Sequence, residues 1–251
     1  MEPNASPFTF EYEPSDIHFG RGRVSELSEL LAAYGAERAL VVCGKHVGSN
    51  EALMEPIECG LGERLVGVFD ETTPEKSVRT AFDGLERMRE LDADALIGVG
   101  GGSSLDVATA MNSLSSTGLT LSEVRTRVAE TGSIGAPDGD ELDVLIQIPT
   151  TFAGADLSSG GSVTVPMPDG ETIGAGIGAD VLMPEAVLYD STLFETTPRS
   201  VLAASAMNGF DKGIETLYAR NATPITDGTA IHGLRLLTEA LPRLHGHVVG
   251  E

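Results

Sequence analysis

"DALIGVGGGSSLDVATAMNSL", residues 94–114, decides the fold. An apolar run ends at Val99, the chain turns at Gly100-Gly101-Gly102-Ser103, and a helix follows from about Ser104. Glycines in such a turn let the backbone approach a diphosphate closely. The helix N-terminus adds unpaired N–H groups and a partial positive charge. A bare "GGG" equally suits a tight strand-to-helix connection. The strand before it, the helix after it and the serine at the turn point to phosphate binding. Asp106, one turn into the helix, is placed to cap or order the turn, or is an ordinary helix-start charge.

Further apolar runs lie on either side. "ALVVC" (39–43), "RLVGVF" (64–69) and "VLIQIP" (144–149) read as strands. Strands apolar throughout and separated by helices predict a parallel sheet covered on both faces. Within "TPEKSVRTAFDGLERMREL" (73–91), Val78, Phe82, Leu85, Met88 and Leu91 recur at helical steps. Thr73 is the expected cap, with Pro74 in the first turn. A helical patch and a solvated loop, "GSIGAPDGDELD" (132–143), follow, and "GSVTVPMPDGETIGAGI" (161–177) reads as a hairpin turning at Pro168–Gly170. After residue 184 the texture becomes helical, with caps expected at Thr197 and Thr223 ahead of Pro198 and Pro224. The expected division is an α/β dinucleotide-binding domain over 1–184 and a helical domain over 185–251. Thr150 and Thr151, just past the strand at 144–149, fall at the sheet edge where open α/β folds bind ligands, so their hydroxyls are candidates for a nucleotide.

The composition is that of a globular chain, but the charge is not ordinary. Among 251 residues, 38 acids face 16 basic residues, for a formal net charge of −22, and only Lys45, Lys76 and Lys212 are lysines. Such a surface repels nucleic acid and anionic membranes, leaving a small molecule as the expected ligand. The balance resembles that of halophilic proteins, whose carboxylate surfaces stay hydrated in concentrated salt. The N-terminus lacks a signal pattern and no apolar run reaches membrane length, so a cytoplasmic protein is expected. Cys43 and Cys59 are read as buried free thiols.

Together "IHFGRG" (17–22), "GGGSSLD" (100–106), "IPTTFAGAD" (148–156), "MPEAVLYD" (183–190) and "SAMNGFDKGIETLYA" (205–219) resemble the iron-containing alcohol dehydrogenase family, with a lean toward its maleylacetate reductases. The resemblance implies a Rossmann-like nucleotide-binding domain followed by an all-helical one, a cleft for NAD or NADP and a small alcohol or carbonyl, and a dimer. It implies that Gly100, Gly101, Gly102 and Ser103 hold the diphosphate, with Thr150 and Thr151 nearby. The chain departs from the family at several points. Gly44, followed by Lys45 and His46, stands where NAD-using members often have an Asp for the ribose, which predicts tolerance of, or preference for, NADP. Thr109 and Thr172 stand at two usual lysines.

The largest departure is in the family's metal helix, where an Asp and a His sit four residues apart. Here those positions are Asn208 and Lys212. A neutral amide and a protonated amine make a poor divalent-metal site, so no metal is expected. An alternative register would use Asp211 and Glu215. Lys212 is instead the candidate electrophile, an ammonium in a dry cleft that polarises a carbonyl oxygen during hydride transfer. His232, His245 and His247 are read as packing or terminal residues. The helical domain is expected to be a fragment or a short form, completed by a partner chain. The competing expectation is a non-catalytic nucleotide-binding relative acting with another chain.

Overall fold

The computed structural model describes residues 9–10, 15–135, 137 and 142–245. It divides into two compact units, Ser15–Thr197 and a helical unit built from Pro198 onward.

The first unit is built on six parallel strands: β1 (Asp16–Gly20), β2 (Ala39–Gly44), β3 (Leu65–Thr72), β4 (Ala95–Gly100), β5 (Val144–Pro149) and, after an antiparallel hairpin of β6 (Gly160–Pro166) and β7 (Thr172–Gly178), β8 (Ala186–Asp190). Their order is β1-β8-β5-β4-β2-β3. Helices α1 (Leu27–Tyr34), the short α2 (Lys45–Gly48), α3 (Glu51–Leu61), α4 (Val78–Glu90), α5 (Gly102–Thr117), α6 (Leu121–Thr131) and the short α7 (Ser191–Phe194) join them.

The expected continuous apolar strands are explained by burial on both faces. Leu40, Val42, Leu96 and Leu145 point into a core shared with α4, α5, α6 and the hairpin. Their chain neighbours Val41, Cys43, Ile97 and Ile146 point into a second core with α1 and α3. Alternate side chains leave opposite faces of a strand, so both sets must be apolar. Helix α5 lies between the sheet and the hairpin and is buried from Ser104 to Leu114.

The sheet unit runs to Thr197, past the boundary expected near 184, because Ala186–Asp190 is a strand inserted between β1 and β5. Helix α4 is capped by Ser77, whose hydroxyl accepts from the Arg79 N–H at 3.3 Å, and not by Thr73. Residues Thr73–Lys76 form a turn that the hairpin holds: Thr164 N–H donates to the Lys76 carbonyl at 2.9 Å, and its hydroxyl donates to that of Glu75 at 2.7 Å. The hairpin turns where expected. Part of the 132–143 loop lies outside the described residues.

In the helical unit α8 (Arg199–Tyr218) packs on α9 (Pro224–His245). The approach is close at Gly213, where a Cβ would meet Leu234 at 2.9 Å. Thr223 caps α9 as expected, accepting from the Thr226 N–H at 3.2 Å. Thr197 does not cap α8. Its hydroxyl donates to the Thr150 carbonyl at 2.9 Å within the sheet unit. Cys43 is buried, but Cys59 is exposed, contrary to expectation. Among the described residues no helix is long and apolar enough to cross a membrane.

Candidate functional site

Strand order locates the site before any side chain does. From β2 the chain moves outward to β3. From β4 it moves the other way, to β5 and then β8. The carboxyl ends of β2 and β4 therefore flank the point where the winding reverses, and such crevices bind ligands in open α/β sheets. Gly44 ends β2 and Gly100 ends β4.

Gly100 has φ +128°, a conformation that L side chains rarely adopt, and Gly101 is extended. Helix α5 begins at Gly102, two residues earlier than the sequence suggests, because the Gly101 carbonyl already accepts from Ser104 N–H at 3.0 Å. Gly102 and Ser103 thus form the first turn, where N–H groups have no partner within the helix. The loop after β5 packs against this turn. Thr150 N–H donates to the Gly100 carbonyl at 2.9 Å. A Cβ on Gly101 would meet the Thr151 methyl at 3.5 Å, and one on Gly102 would meet Ala155 at 3.3 Å. Glycine is thus called for at Gly100 by its φ and favoured at Gly102 by the tight approach of the loop, whereas a Cβ on Gly101 would make only ordinary contact. Thr150 is buried and backs the turn, whereas Thr151 lines a pocket of about 270 Å³ beside it. That pocket is walled by Phe152 and Phe194, stacked at 5.0 Å, and by Tyr189, whose hydroxyl donates to Asp156.

Gly44 is packed against the end of β3, where a Cβ would lie 3.1 Å from the Thr72 carbonyl. The Thr72 and Ser104 hydroxyls share a buried hydrogen bond of 2.7 Å, joining β3 to α5. Lys45 and His46 follow Gly44 and are exposed. Asp106 neither caps nor orders the glycine turn through a hydrogen bond of its own. Its carboxylate accepts from the Lys76 ammonium at 2.7 Å and from Ser162 N–H at 3.4 Å. Thr109 is buried, its hydroxyl donating to the Leu105 carbonyl, and Thr172 starts β7 exposed. Thr72, Lys76, Tyr189 and Asp156 were not candidates in the sequence. The one signal for Lys76 is the scarcity of lysine, because a chain with three of them keeps one here.

Asn208 and Lys212 lie on α8, in the helical unit, and both are exposed. The dry environment expected for Lys212 is not found. Its ammonium donates to Glu215 at 2.6 Å with 65 % of the side chain exposed, and the hydrogen bond to Glu215 raises its pKa. A lysine that holds its proton more tightly offers no lone pair to a metal. In the alternative register Glu215 is the residue engaged by this exposed pair. Among the described residues no group of three or more His, Cys, Asp and Glu gathers as a metal site, and the amide of Asn208 and the ammonium of Lys212 are by their own chemistry poor metal donors. His232 is exposed, and the side chains of His245 and His247 lie outside the described residues.

The parallel sheet, its reversal crevice and the glycine turn opening α5 define a Rossmann-like α/β protein with a helical C-terminal part. Residues 14–191 match the family described as iron-containing alcohol dehydrogenase, and the chain belongs to that family. It is 29 % identical over 244 residues to the maleylacetate reductase of Rhizobium sp. (strain MTP-10005), covering 94 % of this chain and 58 % of that one. It is 27 % identical over 238 residues to the NAD-dependent methanol dehydrogenase of Bacillus methanolicus, covering 93 % and 59 %. The crystal structure of maleylacetate reductase from Agrobacterium tumefaciens superposes with a TM-score of 0.74 at 27 % identity, over 96 % of this chain and 59 % of that one. The chain thus spans about three-fifths of the length of these relatives.

Proposed function

We propose that this chain carries the dinucleotide-binding part of an oxidoreductase that moves a hydride between NAD(P)(H) and a small alcohol or carbonyl compound. The observation that carries the reading is the glycine turn at the reversal crevice. Its backbone is stripped of side chains, opens the first turn of α5, and is braced by the 150–156 loop. When bound, the nicotinamide supplies the hydride chemistry. The chain's own residues would bind and orient. Gly102 and Ser103 N–H groups would receive the diphosphate. Thr151 and the Phe152–Phe194 wall would exclude water on the flank of the turn. Gly44 leaves no carboxylate at its position to repel a 2′-phosphate, and the exposed Lys45 beside it favours one, so NADP is accepted alongside NAD. No step is assigned to a metal, and none to Lys212, whose ammonium is exposed and paired with Glu215.

A second reading has support in the open Lys212–Glu215 pair: a nucleotide-binding chain that turns over only with a partner chain, or not at all. One experiment separates them. NADH and NADPH are titrated by fluorescence in potassium chloride, then an aldehyde and oxo-acid panel is assayed with the wild type and Lys212→Ala. Saturable binding of both nucleotides, with turnover that Lys212→Ala leaves within about threefold of the wild type, is the expected result. Binding without turnover selects the second reading, and a loss of about tenfold or more in the variant would give Lys212 a part in the chemistry. Absence of binding refutes both readings.

A further inference from the structure

Lys76 is held in an unusual way. Its backbone adopts φ +50°, rare for a residue with a side chain, at the end of the turn that follows β3. Its ammonium lies 2.7 Å from Asp106 Oδ2 and 2.7 Å from Ser162 Oγ, with a quarter of its side chain exposed. Three elements meet there: the β3–α4 turn, helix α5 and strand β6. Asp106 is four residues beyond Gly102, about 6 Å along the helix axis from the turn. It is 8 % exposed, and Gly161 passes so close that a Cβ there would lie 2.8 Å from its carboxylate. Water therefore screens this carboxylate poorly.

An unpaired carboxylate one turn behind a helix N-terminus opposes the field that the turn offers an anion. We infer that Lys76 is a positioning residue of the cofactor turn: by pairing Asp106 it cancels a buried negative charge behind Gly102–Ser103, so that a dinucleotide diphosphate meets an uncompensated helix terminus. The inference rests on the dinucleotide reading above. It accounts for a lysine kept in a chain of net charge −22. The lysine acts through Asp106, and it need not touch the ligand.

The test is a charge cycle read by NADH and NADPH titration in potassium chloride, with circular dichroism to confirm folding. Lys76→Met exposes Asp106 and weakens binding about tenfold. Lys76→Arg keeps the charge and binds within about threefold of the wild type. The double variant Lys76→Met/Asp106→Asn removes both charges and recovers most of the lost affinity, although the bridge is gone. A purely structural bridge would leave the double variant as weak as Lys76→Met, and so would a direct lysine–phosphate contact, so that result overturns the inference. Asp106→Asn alone keeps Lys76 and binds at least as tightly as the wild type. It serves if Lys76→Met fails to fold, and a loss of affinity in it overturns the inference. Wild-type binding that Lys76→Met leaves unchanged sinks Lys76 alone. A wild type that binds neither nucleotide sinks the dinucleotide reading and this inference with it.

Discussion

Asp190 is an acid held by four hydrogen bonds inside the sheet unit. It is fully buried at the end of β8 and accepts from Gly22 N–H at 3.0 Å, Val24 N–H at 3.2 Å, Thr192 N–H at 3.0 Å and the Thr192 hydroxyl at 2.6 Å. It thereby closes the loop after β1 and caps α7. Burial alone would raise its pKa, but the Thr192 hydroxyl and the three backbone donors outweigh burial and lower it. The sign of the linkage follows. A depressed folded pKa stabilises the protein above the unfolded carboxylate value, near 4, and that contribution is lost as pH falls through the folded pKa. Asp190→Asn keeps the shape but replaces one acceptor oxygen with a donor facing N–H groups. We expect it to lower stability by about 1–3 kcal/mol at pH 7, measured by denaturant unfolding in salt. The gap between wild type and variant should shrink below pH 4. A gap that widens in acid would contradict the depressed pKa.

At the scale of elements, legibility followed burial. Strands β2, β4 and β5 were read within a residue of their bounds because both faces are covered and every position is apolar. Strand β1 carries no such run. It is an edge strand with Ile17 and Phe19 exposed, so its strand character comes from pairing with β8. β8 itself is only five residues long, so its apolar run does not stand out from the helical texture that the sequence shows after 184. The glycine turn was legible because its chemistry is local. The Lys76–Asp106 bridge spans thirty residues and leaves no periodic trace. The turn also yields a prediction in which stability and binding separate. Gly102 sits at a helical position without positive φ, where Gly→Ala ordinarily stabilises by about 0.4–1 kcal/mol. Here the added Cβ would meet Ala155 at 3.3 Å and Ala153 at 3.6 Å. Gly102→Ala should therefore leave the melting temperature nearly unchanged while weakening nucleotide binding about tenfold or more. Full affinity in that variant would mean that the turn is only a connection.

Charge is a property of the whole molecule. With 38 acids against 16 basic residues, more than half the carboxylates have no cation to pair with. Among the described residues several of the ion pairs, such as Arg21–Glu195 and Arg87–Glu90, are exposed, and exposed pairs contribute little to stability. What remains is mutual repulsion, which favours any state that spreads the charges apart. Unpaired surface charges interact over about 10 Å at 0.1 M salt and about 3 Å at 1 M, so concentrated salt should stabilise the folded chain by screening. We expect the melting temperature to climb steadily between about 0.1 M and about 2 M potassium chloride. Sodium chloride should act almost equally, because screening depends on ionic strength rather than on the cation. Sucrose raises effective burial without screening, so it should recover only part of the gain. If sucrose matched the salt, or if the melting temperature stayed flat across that range, repulsion among the carboxylates would not limit this fold. The acidic surface would then need another explanation.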